Sequence, residues 1–463
     1  MADVTTDEFL TGVIEGFYGP PWSEAERSEV IAWMRQWGLN TYFYGPKDDL
    51  HHRIFWRTPY ADADAAVIER LIRSCQQQGI RFVYALGPGL DVRYNEPSDR
   101  QALRARFDQL MKLGCRDFCL LFDDIPDRMH PGELERWGSL ASAQCALTNE
   151  ISAWVRTREP HSRFLFCPTP YCGRMEAAQL GGEGYLETVG RELSQDVEVF
   201  WTGPEIISPE ITLGHIDGLA AKLRRKPMIW DNLHANDYDG RRFYCGPYSG
   251  RPTELKGRVK GILTNPNNEM PLDFMALRTL AAFVQAPGTW DPRAAYLTAL
   301  REWLPKFETV HRPMDFADLV LLADCHYLPQ AEGPEAQRLF RDIAGLLALD
   351  PLDWGEDATR VRSQVVRLRD ICARMAELKC RPLFHALSRR VWDLREEMDL
   401  LDRYIGFALE PANRGRPFHS DFHLTQTYRG GLVRRLQDLL VQAPDGSIRP
   451  RDLAEIGGGP AHE

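Results

Sequence analysis

Two adjacent aspartates, Asp123 and Asp124, directly follow the apolar run of residues 118–122. Two carboxylates this close cannot both ionise comfortably, so we expect the proton affinity of one of them to rise. A carboxyl group that stays protonated near neutral pH can act as a general acid. From the pair alone, a helix cap, a surface loop and a site for a hard cation stay open as alternatives.

The segment 230–239 (WDNLHANDYD) is a second concentration of polar groups, and it also follows an apolar run. Asn232 and Asp237 can bind vicinal hydroxyls, while Trp230 and Tyr238 offer flat faces to a pyranose ring. The segment lacks the glycine and the bidentate glutamate of an EF-hand calcium loop. Its composition therefore favours a sugar site, with a plain polar loop as the alternative.

The segment 47–53 (KDDLHHR) begins with Lys47, whose ammonium can reach a pocket as a donor to hydroxyls. We interpret its acidic and histidine side chains mainly as structural partners of Arg53, because adjacent histidines rarely point to one metal. The chain has no Cys-x-x-Cys pair, so we expect no metal and no other cofactor. Tyr171 and Asn265 follow other apolar runs, and each is weak evidence by itself.

Eight short apolar runs recur over the first 270 residues, with starts separated by 29 to 46 residues. Their near-continuous apolar character predicts burial on both faces, as in a parallel sheet, and each interval has room for a crossover helix. Eight such units predict an α/β fold, a (β/α)₈ TIM barrel, with a doubly wound sheet as the alternative. The runs are 12–17, 41–46, 81–88, 117–124, 163–168, 197–204, 227–232 and 261–266.

Chemically capable residues cluster at the C-terminal ends of these runs, where barrel enzymes place the active site. A doubly wound sheet would have such residues at only one or two of its strand ends. The residues concerned are Glu15, Gly16, Lys47, Asp123, Asp124, Tyr171, Thr202, Asn232 and Asn265.

The segments between the runs have the spacing of helices. Ser23 and Glu26 form a capping-box pattern, and further helices are expected over 62–78 and 99–113, each closed by a glycine. After about residue 290 the pattern becomes that of a helical bundle. The predicted domains are an N-terminal extension (1–10), a catalytic barrel (11–290), a stalk-like helical bundle (291–442) and a mobile tail (443–463).

Composition limits the possible partners and compartments. The chain has 463 residues, 44% hydrophobic and 26% charged, with a net charge of −10, which disfavours a nucleic-acid partner. No apolar stretch approaches the length of a membrane span, and Met1–Leu10 does not resemble a signal peptide. The ten cysteines mostly stand among apolar neighbours, as expected for reduced thiols in a cytoplasmic protein.

Over roughly residues 10–290, the chain resembles glycoside hydrolase family 84, the O-GlcNAcase family. The family fold is a (β/α)₈ barrel, in agreement with the eight runs. The motifs that carry the resemblance are GVIEGFYGPPW (12–22), KDDLHHR (47–53), LLFDDI (120–125), FCPTPYCG (166–173), WTGP (201–204), WDNLHANDYD (230–239) and LTNPNNE (263–269).

The resemblance implies a retaining exo-β-N-acetylglucosaminidase that removes O-linked GlcNAc from serine or threonine of proteins through an oxazoline intermediate. It implies that Asp123 accepts the acetamido N–H of the substrate, that Asp124 is the acid and base, and that Tyr171 steadies the acetamido oxygen. The positions that match sugar-binding residues are Gly16, Lys47, Asn232, Asp237 and Asn265. Those that match the pocket for the acetamido methyl group are Cys167, Thr202 and Trp230.

Three alternatives stay open from the sequence. The first is a β-hexosaminidase acting on GlcNAc from cell walls or glycosaminoglycans, the second a non-catalytic sugar-binding scaffold, and the third a metal-dependent barrel hydrolase. The expected partners are GlcNAc-bearing proteins, peptides or small glycosides, with no nucleic acid and no membrane. A homodimer through the C-terminal helices, as the resemblance implies, could wall a peptide groove.

Overall fold

The structure is a computed structural model that describes residues 8–420 and 428–451. The chain forms two compact units. The first comprises the described residues up to Asp237 together with Tyr248–Pro292, and the second comprises Tyr238–Pro247 and the described residues from Arg293 onward. The stretch Tyr238–Pro247, which the sequence places within the barrel segment, thus belongs to the second unit.

The first unit is a closed barrel of eight parallel strands in chain order, and β8 pairs with β1 to close it. The (β/α)₈ barrel expected from the eight apolar runs is therefore confirmed: seven runs contain one strand each, and the run 12–17 overlaps β1, which begins two residues earlier at Leu10. The strands are β1 Leu10–Glu15, β2 Thr41–Tyr44, β3 Arg81–Leu86, β4 Asp117–Leu121, β5 Phe164–Cys167, β6 Val197–Trp201, β7 Met228–Asp231 and β8 Gly261–Thr264.

Helices connect the strands and cover the barrel. The capping box at the start of α1 is present: the Ser23 hydroxyl accepts from the Glu26 backbone N–H, and the Glu26 carboxylate accepts from that of Ser23. The helices of this unit are α1 Glu24–Trp37, α2 Asp62–Gln77, α3 Pro97–Lys112, α4 Pro131–Trp137, α5 Leu140–Arg156, α6 Gly173–Ala177, α7 Tyr185–Glu192, α8 Leu213–Leu223 and α9 Phe274–Gln285.

A buried apolar cluster fills the barrel. Near the C-terminal ends of the strands it includes Cys167, Tyr171 and Trp230, which the sequence places at the candidate site. The apolar filling and the site are therefore continuous, and the packed strands hold the site residues from below. Other members of the cluster are Leu10, Ile14, Phe43, Val83, Ala85, Cys119, Leu121, Leu165, Phe200, Met228 and Leu263.

The second unit is mainly helical. Its two longest helices, α13 and α14, pack against each other, and the apolar seams read from the sequence are buried between helices, as at Val365 and Leu394. The helices are α10 Pro292–Trp303, α11 Phe316–Asp324, α12 Pro334–Leu347, α13 Gly355–Arg374, α14 Arg381–Leu409 and α15 Gly431–Gln437.

A short antiparallel hairpin follows α15, formed by β9 Leu440–Gln442 and β10 Ile448–Pro450. The sequence assigns 443–463 to a mobile tail, but its first part contains β10, because Ile448 is buried and bridges to Phe418. Residues 452–463 lie outside the described part of the chain. Among the described residues, no helix is both long and apolar enough to cross a membrane.

Candidate active site

Lys47 and Asp123 form a buried ion pair at the C-terminal ends of β2 and β4. The side chains keep 3% and 9% of their surface exposed. Burial raises the pKa of Asp123, but the charge and hydrogen bond of Lys47, with help from Arg53, outweigh it and hold that pKa below its ordinary value. The sequence predicts a raised pKa for one of the two aspartates, and what the structure shows is a lowered one at Asp123.

Asp124 lies next to this pair in an unusual backbone conformation. Its φ of 51° is in the left-handed region, which non-glycine residues rarely adopt. Each oxygen of its carboxylate accepts a hydrogen bond from one tyrosine: Oδ1 from Tyr171 and Oδ2 from Tyr18, both at 2.9 Å. The carboxyl group is thus held between two phenols that come from different strand ends.

Tyr18 and Arg53 were not predicted as site residues. Arg53 donates from Nη1 to the Tyr18 hydroxyl at 2.7 Å and from Nη2 to the backbone carbonyl of Asp124 at 2.9 Å. The interpretation of Arg53 as the partner of the acidic and histidine side chains of its own segment is therefore wrong. Asp49 instead accepts from Tyr44 and Tyr60, and His52 contacts the Ala85 carbonyl.

Trp230, Asn232 and Asn265 form a chain of hydrogen bonds after β7 and β8. The Asn232 Oδ1 accepts from the Trp230 indole and from the Asn265 amide, both at 3.0 Å, and its own amide donates to the Ile206 carbonyl at 2.8 Å. The Asn265 Oδ1 is buried and has no hydrogen-bond partner among the described residues. A buried acceptor of this kind is suited to a hydroxyl of a bound ligand.

Gly16 contacts the indole of Trp230 without a side chain. A Cβ at this position would lie 2.7 Å from Ile14 Cγ2 and 2.9 Å from Trp230 Cζ2. Tyr18, two residues further along the loop, donates its backbone N–H to Asp237 Oδ2 at 3.0 Å. The loop after β1 is thereby fixed against the loop after β7, and both contain predicted sugar-binding residues.

Cys167 and Thr202 complete the predicted set. Cys167 is buried at the end of β5, and burial raises the pKa of its thiol well above the ordinary value, which suits a packing role. The Thr202 hydroxyl donates to the Glu205 carbonyl at 2.8 Å, and its backbone N–H donates to Tyr171 at 2.9 Å. The structure thus links Thr202 directly to the loop that presents the Tyr171 hydroxyl.

Two buried ion pairs lie behind the site. Glu15, which the sequence counts among the chemically capable strand ends, is fully buried and paired with Arg27, so its role is structural. Asp231, just before Asn232, accepts two hydrogen bonds at 2.8 Å from Arg251 and one at 2.7 Å from Tyr248. Such pairs fix the loops, because a buried charge needs its partner in place.

From the sequence, a metal centre is the alternative to acid–base chemistry for the aspartate pair and the histidines. In the described part of the chain, no three histidine, cysteine, aspartate or glutamate side chains group closely enough to hold an ion. The chemistry available to this site from its own side chains is that of carboxylates, phenols, amides and one ammonium.

A barrel that presents a carboxylate pair after β4, amide groups after β7 and β8 and an indole beside them has the set of groups typical of glycoside hydrolases. The chain belongs to the β-N-acetylglucosaminidase family, whose profile matches residues 11–317. This membership confirms the resemblance to glycoside hydrolase family 84.

Similar proteins agree with this membership. The protein O-GlcNAcases of Rattus norvegicus and Mus musculus are each 45% identical over 278 residues, which is 60% of this chain and 30% of each relative. The chain therefore spans less than a third of the length of these relatives. A solved structure of a mutant O-GlcNAc hydrolase from Thermobaculum terrenum superposes with a TM-score of 0.78 at 25% identity and covers 87% of this chain and 86% of that one.

Proposed function

We propose that this protein is a retaining exo-β-N-acetylglucosaminidase that removes O-linked GlcNAc from serine and threonine of proteins. The observation that carries the proposal is that the two adjacent aspartates have different hydrogen-bond and ion-pair partners. Lys47 keeps Asp123 as a carboxylate, while Asp124 is held by two phenols in a position from which it can exchange a proton. The names of the relatives supply the substrate class.

In the first step, the substrate's own acetamido group acts as the nucleophile. The Asp123 carboxylate accepts the acetamido N–H and Tyr171 donates to the acetamido oxygen, which directs that oxygen at the anomeric carbon. The bond from this oxygen to the anomeric carbon forms as the glycosidic bond breaks. Asp124 transfers its proton to the departing serine or threonine oxygen, a step that contributes about 10²- to 10⁴-fold.

In the second step, Asp124 takes a proton from water as the water oxygen attacks the anomeric carbon and the oxazoline opens. Two inversions at one carbon give net retention. A nucleophile from the enzyme would instead require a second carboxylate across the sugar, about 5–5.5 Å from the acid. Adjacent aspartates suit the route through the substrate, since the substrate's own acetamido group reaches the face opposite the leaving group and no enzyme carboxylate is needed there.

The remaining predicted residues form the proposed sugar pocket. The free lone pairs of Asn265 Oδ1 provide a buried acceptor, and Lys47, Asn232 and Asp237 add further donors and acceptors. Gly16 lets the sugar approach the backbone. The acetamido methyl group would be enclosed by side chains that are all buried at the C-terminal ends of the strands, namely Cys167, Thr202 and Trp230.

The proposal extends to compartment and partners. All ten cysteines are free thiols and nine are buried, which supports a reducing compartment such as the cytoplasm. The expected partner is a GlcNAc-bearing protein or peptide, and the net charge of −10 opposes nucleic acid. Dimerisation through the C-terminal helices belongs to the same proposal.

The test compares an O-GlcNAc-modified protein with an aryl N-acetylglucosaminide, using the wild type and Asp123→Asn. A series of aryl substrates with mono-, di- and trifluorinated acetamido groups is added, because fluorine weakens the acetamido oxygen as a nucleophile. We expect rates that fall steeply along the series and a protein substrate that is hydrolysed. Flat rates, or a trapped glycosyl adduct on the chain, would refute the mechanism.

Two controls separate the alternatives. Faster turnover of cell-wall or glycosaminoglycan fragments than of the modified protein would favour the broader β-hexosaminidase, and binding without turnover would favour a scaffold. We expect full activity to survive exhaustive chelation, whereas a metal-dependent hydrolase would lose it.

A further inference from the structure

We propose that Arg53 and Tyr18 are positioning residues for the proton transfer: together they fix the plane of the Asp124 carboxyl group and make Oδ1 the oxygen that carries the proton. This inference rests on the proposed function, since it concerns the acid of that reaction. It assigns roles to two residues that were not expected at the site.

The first argument is the number of protons on Tyr18. A phenol has one proton to donate, and a guanidinium has only donors. Because Arg53 donates to the Tyr18 oxygen at 2.7 Å, the phenol proton is directed elsewhere, and Asp124 Oδ2 lies 2.9 Å away. Burial and the neighbouring Asp124 raise the pKa of Tyr18 despite the opposing charges of Lys47 and Arg53, so this proton stays in place at neutral pH.

The second argument is that the two oxygens of Asp124 are not equivalent. Oδ1 accepts from Tyr171, the residue that we expect to turn to the acetamido oxygen of the substrate. Oδ2 accepts from Tyr18, which Arg53 holds in place. When substrate arrives, Oδ1 is therefore released and Oδ2 is not. A protonated oxygen must donate its hydrogen bond, so the proton belongs on Oδ1, where the leaving oxygen can receive it.

The third argument is how firmly Tyr18 and Asp124 are held. The Tyr18 backbone donates to Asp237 at 3.0 Å and accepts from the Asn268 amide at 2.5 Å. Arg53 Nη2 also holds the backbone carbonyl of Asp124, where φ is left-handed. One planar guanidinium thus fixes both the acid's backbone and the donor on its carboxylate.

The exposure of Tyr18 supports a functional reading over a packing one. The Tyr18 side chain is 42% exposed, although it takes part in hydrogen bonds to two charged residues. A tyrosine kept only for packing would bury most of its ring.

The experiment measures kcat and KM of Tyr18→Phe, Arg53→Met and Arg53→Lys for two N-acetylglucosaminides. One has an alkyl leaving group, which needs the proton, and the other a dinitrophenyl leaving group, which does not. We expect a loss in kcat of about 10- to 100-fold for the alkyl substrate, the effect of a misplaced catalytic group. For the dinitrophenyl substrate we expect less than about a 3-fold change in kcat/KM, which reports the first step alone, because Asp124 remains the base of the second step.

Matched controls are Tyr94→Phe and Arg57→Met. The Tyr94→Phe variant loses one hydrogen bond, the one that the Tyr94 hydroxyl accepts from Gln144. Arg57 lies in the same loop as Arg53, but it pairs with Asp91 and Asp99 and not with Asp124. Neither control should acquire a dependence on the leaving group. Arg53→Lys tests geometry against charge: it should behave like Arg53→Met, because one ammonium cannot hold both partners.

Three results would overturn the inference. They are wild-type kcat for the alkyl substrate in Tyr18→Phe, equal losses for both leaving groups, and full rescue by Arg53→Lys. Asp124→Asn is measured alongside. If that variant itself shows no dependence on the leaving group, the proposed function fails together with the inference. If it does and Tyr18→Phe does not, only the positioning role fails.

Discussion

The Lys47 ammonium and the Asp123 carboxylate form an ion pair at the C-terminal ends of β2 and β4, across the intervening strand β3, with almost no contact to solvent. A buried charge of either sign is unstable without its partner. The pair therefore sets the ionisation of Asp123 before any substrate is present. In the proposed mechanism, both the charge that orients the acetamido group and the pH range of the reaction depend on this one contact.

The first prediction concerns Lys47→Met. The variant removes the main influence that lowers the pKa of Asp123, and burial, which raises that pKa, remains. Because the proposed reaction needs Asp123 ionised, the acidic limb of the profile of kcat/KM against pH should move to higher pH. A profile measured between pH 4 and about 9 checks this. A limb that stays in place would show that Asp123 is not the group that titrates there.

The second prediction concerns Asp124→Asn. The amide cannot transfer a proton, so turnover of an alkyl N-acetylglucosaminide should fall by about 10²- to 10⁴-fold. A dinitrophenyl glycoside should be affected less in its first step, and added azide should speed the second step, since a small anion needs no base. Normal turnover of the alkyl substrate would reject Asp124 as the acid.

The third prediction concerns Gly16→Ala. The added Cβ would lie 2.7 Å from Ile14 and 2.9 Å from the Trp230 ring, so Ile14 and the indole that donates to Asn232 must shift to make room. We expect a rise in KM and a fall in stability of about 1–3 kcal/mol, the usual effect of overpacking. Gly257→Ala is the matched control, because nothing lies within 4 Å of a Cβ there. Equal behaviour of the two variants would contradict the close packing at Gly16.

The fourth prediction compares two arginine substitutions. Arg251→Met leaves the buried Asp231 without its ion-pair partner and should lower the free energy of unfolding by about 3–5 kcal/mol. Arg258→Met removes an exposed pair with Asp217 and should cost about 1 kcal/mol or less. Denaturant unfolding of both variants gives the comparison. Similar losses would mean that burial does not distinguish the two pairs.

The barrel could be predicted because its signal is local. Each strand is buried on both faces and reads as a short apolar run, and the intervals leave room for one helix each. The ends are less sharp: the run of residues 81–88 contains a strand that stops at Leu86, because residues beyond it already turn into the loop. The capping box at Ser23 could be predicted for the same reason, since Glu26, the partner of Ser23, is only three residues away.

Tyr18 and Arg53 could not be predicted in the same way, because their partners are remote in sequence. Asp124 is 106 residues from Tyr18 and 71 residues from Arg53. Only closure of the barrel brings these loops together. The left-handed φ of Asp124 could not be predicted either, since an aspartate in a sequence does not indicate this backbone conformation. Glu15 shows the converse, a polar strand end whose side chain points to a structural partner.

At Asp124, the residue type that best fits the left-handed backbone differs from the residue type that the proposed reaction needs. Glycine adopts this conformation without the strain that a Cβ brings, so Asp124→Gly would relieve the local backbone while, in the proposed mechanism, it deletes the proton donor. Variants of this protein that are selected for heat resistance therefore need to be screened for hydrolysis as well.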